Sequence, residues 1–254
     1  MECCALASGS SGNCFYVGND SEGILVDAGI SAKQILTRLE SINGRPQKIR
    51  ALFLTHEHID HVRGADVIAR KLNIPIFATK ATLQNCFVCS NKDLIHVINS
   101  NKPTTLGNLS IEAFSKSHGA ADPVSYTISE KKRISVITDA GYVCDNIKHH
   151  VSHSDIVYLE SNHDEEMLEQ GSYPYFLKKW IKGDKGHLSN HQAAMCIKQH
   201  STQRLQRVIL SHLSANNNTP ERALQTFHNV LKENLIKPTI EVSLREMPSQ
   251  MITI

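Results

Sequence analysis

The chain has 254 residues, 41% of them hydrophobic and 20% charged, with a net charge of +2. That is an ordinary globular composition, long enough to bury a large core, and one domain over residues 1–254 is the simplest expectation. Its charge balance sets up no global field for a polyanion, so any nucleic acid must be held by a local basic patch or through metals. No apolar run approaches a membrane span, and the N-terminus lacks the positive start and long apolar core of a signal peptide. Seven cysteines, an odd number without regular spacing, point to reduced thiols and a cytoplasmic location.

In chain order, residues 3–7 read as a strand, 8–13 as a Gly/Ser-rich turn and 14–17 as the returning strand of a hairpin. The turn could cradle phosphate but lacks the lysine and helix start of a P-loop. Residues 23–26 form a third strand that ends in Asp27-Ala28-Gly29. Ser31 caps a helix over 31–42, with Ile35, Leu36, Leu39 and Ile42 on one face. Residues 51–54 are a short buried strand, and polarity inverts directly behind it. His56, His58, Asp60 and His61 put four potential ligands within six residues, with Glu57 as a spacer pointing elsewhere. A chain leaving a strand can aim all four into one cavity. The His56/His58 pair suits one ion, and Asp60 and His61, half a turn later, suit a second beside it. A histidine-rich surface loop is the duller explanation, and the position behind an apolar strand argues against it.

A helix over 65–72 and strands over 74–78, 94–98 and 109–114 follow, the last entered through Gly107-Asn108. Cys86-Phe87-Val88-Cys89 has no second cysteine pair for a zinc ribbon and reads as packing. Strands at 124–128, 134–138 and 156–159 come next, then helices near 164–170, 174–181 and 189–200. A strand at 207–210, a helix from Thr219-Pro220 to about 235, and short strands at 239–243 and 251–254 complete the chain. The polar segment holding His149, His150 and His153 reads as solvated surface. His96, His191, His200 and His228 show no partner pattern. Two runs of strands, each closed by helices, suggest two sheets packed face to face inside helices. Asp27, His56, His118, Asp139, Glu160 and His212 all stand at strand ends, where polar side chains can converge on one rim. Lys178, Lys179, Lys182 and Lys185 surround Trp180 just before His187. This suits a nucleic-acid backbone and base stacking, or else a solvated helix face over a buried tryptophan.

The order Asp27, His56-x-His58-x-Asp60-His61, His118, Asp139, His212 resembles the ligand set of the metallo-β-lactamase superfamily. That resemblance implies an α+β fold, an αββα four-layer sandwich. It also implies two divalent ions, Zn²⁺ or Mn²⁺. His56, His58 and His118 would hold one ion, Asp60, His61 and His212 the other, and Asp139 would bridge them. Asp27 would orient a ligand histidine. Ser-Ser-Gly-Asn at 10–13, Leu-Glu-Ser-Asn-His-Asp at 159–164, Gly-His-Leu-Ser-Asn at 186–190 and His-Leu-Ser at 212–214 resemble the YycJ/WalJ-type nuclease branch. The tail is similar to ribonuclease Z, although no long arm for tRNA is evident. The implied activity is two-metal hydrolysis of nucleic-acid phosphodiesters by a 5′→3′ exonuclease, with DNA favoured over RNA and no membrane partner. His187, Glu160 and Asp60 form the expected catalytic group, with His187 as acid to the leaving oxygen and Glu160 orienting it. Ser11, Asn13, Asn162, His163 and Asn190 are expected behind the ligands or against substrate. The competing possibility is a thioester or lactone hydrolase built on the same metal motif. A thiolate leaving group would hardly need the acid that His187 and Glu160 supply. A protein that merely holds metal would be expected to lack ligands that are all present here.

Overall fold

Burial on both faces explains why the first three strands of the chain are apolar along nearly their whole length. Cys3 to Ala7 are fully buried, as are Phe15, Tyr16, Val17, Ile24, Leu25 and Val26. Alternation would mark one wet face, whereas a continuous apolar run marks a strand covered on both sides. The computed structural model describes residues 1–99 and 102–254. They form two compact units. One comprises Met1–Ser115, Ala120–Lys132 and Leu244–Ile254; the other comprises Lys116–Gly119 and Arg133–Ser243.

The first unit contains, in chain order, β1 (Glu2–Ala7), β2 (Cys14–Gly18), β3 (Gly23–Val26), α1 (Ala32–Ser41), β4 (Ile49–Phe53), α2 (Ile59–Val62) and α3 (Ala65–Leu72). After these come β5 (Ile76–Ala78), α4 (Lys80–Asn85), β6 (Ile95–Val97), β7 (Thr104–Leu106), β8 (Leu109–Ser115) and β9 (Val124–Ser129). One sheet runs from the C-terminal strand Ile252–Thr253 through β1, β2, β3, β4 and β5 to β6. Its pairing is antiparallel up to β3 and parallel from there on. The parallel half needs crossovers, which α1 and α3 provide. Ser31 opens α1 with a capping box closed by Gln34. Ile35 and Leu39 of α1, with Ile68 and Ala69 of α3, share one core with Leu6, Tyr16, Leu25 and Leu52. On the opposite face the rings of Phe53 and Tyr126 lie 5.5 Å apart, and the Tyr126 hydroxyl donates to the Leu54 carbonyl at 2.7 Å. Tyr126 belongs to the antiparallel ladder β7-β8-β9, so this unit is layered helix, sheet, sheet.

The second unit contains β10 (Arg133–Ile137), α5 (Asp145–His153), β11 (Ile156–Glu160), α6 (Glu165–Gln170), α7 (Tyr175–Ile181), α8 (Asn190–His200), β12 (Arg207–Ser211), α9 (Pro220–Leu231) and β13 (Thr239–Val242). β10, β11, β12 and β13 are neighbours in that order and all parallel. α8 packs between α5 and α9. Parallel neighbours bring their C-terminal ends side by side, where open α/β sheets carry their sites. Asp139, Glu160 and His212 stand at those ends of β10, β11 and β12.

Several sequence expectations need correction. The fifth strand begins at Ile76 instead of residue 74, because Pro75 has no N–H for the ladder; its carbonyl instead accepts from Leu52. The last helix ends at Leu231, and Leu235 is fully exposed. Phe87 is not a packing residue, being 69% exposed, although Val88 and Cys89 beside it are buried. Residues 145–153 form a helix, α5, that was not expected, since only Ile147 and Val151 signal its apolar face. His150 lies on that face and is buried, whereas His149 and His153 are exposed. None of the seven cysteines is in a disulfide. Among the described residues no helix is long and apolar enough to cross a membrane.

Burial, with His149, Arg133 and His153 nearby, pushes the His150 imidazole down to about 3. An unfolded histidine titrates near 6.5, so below that pH the unfolded chain takes up a proton that the folded chain refuses. The stability this neutral imidazole contributes is complete above pH 6.5 and is lost as pH falls toward 3. In chelator-treated protein, His150→Leu should therefore show a smaller drop in melting temperature between pH 7.5 and 5.0 than the wild type. Parallel drops in the two proteins would remove His150 as the cause.

Candidate functional site

In the first unit the stretch from His56 to His61 is held from behind by a carboxylate. Asp27 leaves β3 with a left-handed backbone, φ 61°. Its Oδ1 accepts from the Thr55 N–H at 2.8 Å, and its Oδ2 lies 2.7 Å from His61 Nδ1. The Thr55 hydroxyl bridges Asp27 Oδ2 at 2.9 Å and His56 Nδ1 at 2.9 Å. With Nδ1 engaged, each ring presents Nε2 on its far side. His56 Nε2 is 3.0 Å from His58 Nδ1, and His61 Nε2 is 3.5 Å from Asp60 Oδ2. Glu57 turns away and accepts the Ala121 N–H at 2.7 Å. Asn13 is buried, its amide 3.2 Å from His61 Nε2 and 3.4 Å from Asp60 Oδ2. Ser11 stays exposed in the turn, its carbonyl accepting from Arg63.

The second unit is organised around Glu160. This fully buried carboxylate accepts from His187 Nδ1 and His212 Nδ1, both at 2.9 Å, and from the N–H groups of Asp139, Ala140 and Leu188. Burial alone would raise its pKa. The two imidazoles outweigh that and hold it below the usual carboxylate range. His212 thus directs Nε2 toward Asp139, 3.5 Å from Oδ1. His118 donates its Nδ1–H to the Gly186 carbonyl at 3.1 Å, and its Nε2 lies 3.7 Å from the same Asp139 oxygen. Asp139, Glu160, His187 and His212 offer ligand atoms within 4.8 Å of one another. His187 has 13% of its side chain exposed, while Glu160 behind it has none.

Three further residues expected near the site are buried, and two of them, Asn162 and Asn190, join a polar network. The Asn162 amide donates to the His212 carbonyl at 3.0 Å, and Asn190 exchanges hydrogen bonds with Ser161 and Asn218. His163 is only 2% exposed, and burial pushes it down to about 4. Thr55, Asn218 and the glycines of the two Asp-Ala-Gly turns were not anticipated. Thr55 could have been suspected from its place before His56, but nothing local marks Asn218. Both Asp-Ala-Gly turns follow one plan. Asp139, like Asp27, is left-handed, φ 53°, and so is His212 at φ 57°. A side chain on Gly29 would strike the Asp60 carbonyl at 1.6 Å, and one on Gly141 the Asp184 carbonyl at 1.9 Å.

The donor set suits a divalent metal. Zn–N and Zn–O bonds near 2 Å place neighbouring ligand atoms about 3–3.5 Å apart. The His56/His58, Asp60/His61 and Asp139/His212 spacings fall in or at the edge of that range. Burial pushes His118 down to about 4, so it is neutral at pH 7, as a ligand must be. Asp27 and Glu160 are the carboxylates that fix tautomer and ring orientation behind the nitrogens.

The fold and this ligand architecture define a metallo-hydrolase scaffold. Residues 23–213 match the sequence profile of the β-lactamase superfamily domain, and the chain belongs to that family. It is 38% identical over 234 residues to the exodeoxyribonuclease WalJ of Streptococcus pneumoniae strain D39, covering 90% of this chain and 87% of that one. It is 35% identical to the exodeoxyribonuclease YycJ of Bacillus anthracis over 90% of this chain and 88% of that one. The crystal structure of Zn²⁺-bound PqqB from Methylobacterium extorquens covers all of both chains with a TM-score of 0.76 at 16% identity. The α+β metallo-β-lactamase fold expected from the sequence is therefore the fold of this chain.

The turn at Gly141 seats the segment carrying Ser117 and His118, through the bond from Gly141 N–H to the Ser117 carbonyl, against the segment leading to His187. Gly141→Ala should force these backbones apart. Overpacking of this kind costs about 1–3 kcal/mol, several degrees in melting temperature for a chain this size. A thermal scan showing no loss would mean that the 184–187 segment yields freely.

Proposed function

We propose that this protein is a metal-dependent nuclease that hydrolyses phosphodiester bonds in nucleic acid, acting as a 5′→3′ exonuclease with DNA favoured over RNA. Residues 1–254 would work as one metallo-β-lactamase-fold hydrolase domain, located in the cytoplasm. The observation that carries the reading is the double hold of Glu160 on His187 and His212. One imidazole of that pair belongs to the ligand set carried over from the family. The other does not, yet it is oriented just as firmly, with its free nitrogen directed outward. A hydrolase whose leaving group is an alkoxide needs such a proton donor. The relatives named as exodeoxyribonucleases match over nine-tenths of the chain, which supports the same substrate class here.

The proposed ligands are His56, His58, Asp60, His61, His118, Asp139 and His212, holding two ions, Zn²⁺ or Mn²⁺. When bound, a pair of divalent ions supplies a hydroxide at neutral pH and neutralises charge on the phosphoryl oxygens. The protein's own residues do the rest. Asp27 and Thr55 keep the imidazoles of His56 and His61 in one orientation. Asp60 contributes a carboxylate beside His61 and belongs to the catalytic group. Glu160 holds Nδ1 of His187, so that Nε2 of the ring carries the proton delivered to the departing oxygen.

Two substitutions separate these roles. His58→Ala removes a proposed ligand, and elemental analysis should show less than the two ions per chain expected of the wild type, with DNA hydrolysis lost. A wild-type metal content and rate would sink the ligand assignment. His187→Ala should keep both ions and lose about 10²–10⁴-fold in rate on end-labelled DNA. The loss should shrink on a nitrophenyl phosphodiester, whose leaving group needs no proton. Equal losses on both substrates would remove His187 as the acid.

A further inference from the structure

α7 carries an apolar surface that the fold does not use. Tyr175 is 79% exposed, Phe176 73% and Trp180 44%. Ile181 turns the opposite side of the helix into the protein. Phe176 and Trp180 are four residues apart and lie on one face, with exposed Lys179 beside both. The tryptophan is therefore not buried beneath a basic face. The lysines divide as well. Lys178 and Lys182 are drawn onto Glu169, one to its carbonyl and one to its carboxylate. Lys179 and Lys185 make no ion pair among the described residues and remain exposed.

Trp180 is fixed in place by the residues that carry the chemistry. Its ring stands edge-on to His187, with centroids 5.8 Å apart at 74°, and to His118 at 6.3 Å and 62°. Gly119 leaves room for the indole: a Cβ there would approach Trp180 Cζ2 to 3.2 Å. An aromatic held this way, with a second aromatic one turn along and an exposed cation on the adjoining side of the helix, suits stacked bases and a phosphate backbone.

We propose that Trp180 and Phe176 form a stacking platform for unpaired bases, with Lys179 contacting the backbone, so that the strand end reaching His187 is single-stranded. The proposal rests on the nuclease reading and adds which form of nucleic acid is taken at that site. Self-association through this face would add a Lys179 cation from each copy to the interface, whereas a phosphate backbone complements that charge.

Trp180 is the only tryptophan in the chain, so its emission reports on this face alone. Metal-loaded, full-length protein would be titrated with phosphorothioate oligothymidylate, which resists cleavage, and with an abasic strand of equal length. Emission should be quenched saturably by the oligothymidylate and left unchanged by the abasic strand. Phe176→Ala should weaken oligothymidylate binding about 5- to 150-fold. Lys179→Ala should lower the slope of log affinity against log salt by about one. Equal quenching by both strands would overturn stacking in favour of phosphate contact. So would unmoved emission from protein that binds and cuts labelled DNA, and the nuclease reading would then survive alone. Protein that neither binds nor cuts DNA would remove both. A concentration-dependent emission shift without DNA, with dimers in light scattering, would make the face an interface between copies.

Discussion

A buried carboxylate that accepts five hydrogen bonds holds the second unit's chemistry together. Glu160 could not stay charged in an apolar interior without them. Three of the five donors are backbone N–H groups, from Asp139, Ala140 and Leu188, and two are imidazoles. One group thus sets the backbone of the Asp139 turn, the entry to the His187 segment, and the ring orientations of His187 and His212. Parallel pairing makes this possible, because β10, β11 and β12 end side by side and Glu160 lies on the middle strand.

Asp27 plays a comparable part in the first unit, and the local chain is shaped the same way in both. Each Asp-Ala-Gly turn puts an aspartate into the left-handed region, a conformation that costs an L-residue about 1–2 kcal/mol. Each then uses the glycine to let another backbone approach more closely than any side chain allows. Such strain persists only where surrounding bonds over-determine it, and it tends to mark functional sites. Asp27 binds Thr55 and His61, and the turn's backbone binds His61 and Gly64. The turn is therefore the mount on which the His56–His61 stretch sits.

The polar layer behind His212 matters as much as the imidazole does. Asn218 joins Ser161, Asn162 and Asn190 through its amide, and Asn162 in turn supports His212. These groups are buried together and satisfy one another, which limits how far His212 can tilt. Freely rotating imidazoles would have to be ordered on binding any ligand; the hydrogen bonds on His56, His61 and His212 complete most of that ordering beforehand.

The amino-acid sequence by itself determined the elements and the ligand candidates. Apolar runs mark β1 to β4, Ser31 as N-cap marks α1, and the His-x-His-x-Asp-His stretch announces itself behind a strand, because these signals are local and periodic. Weak local signals misled. α5 carries too few apolar residues to show its buried face, so His150 read as surface. Phe87 sits among packing residues yet points outward. What tertiary structure alone decided is which side chains share a proton or a carboxylate. That Glu160 serves His212 as well as His187, that Asn218 holds Ser161 and Asn162, and that Trp180 stands edge-on to His187 all depend on residues up to 57 positions apart. No spacing in the chain encodes such contacts, since strand pairing and helix packing bring them together only after the chain has folded.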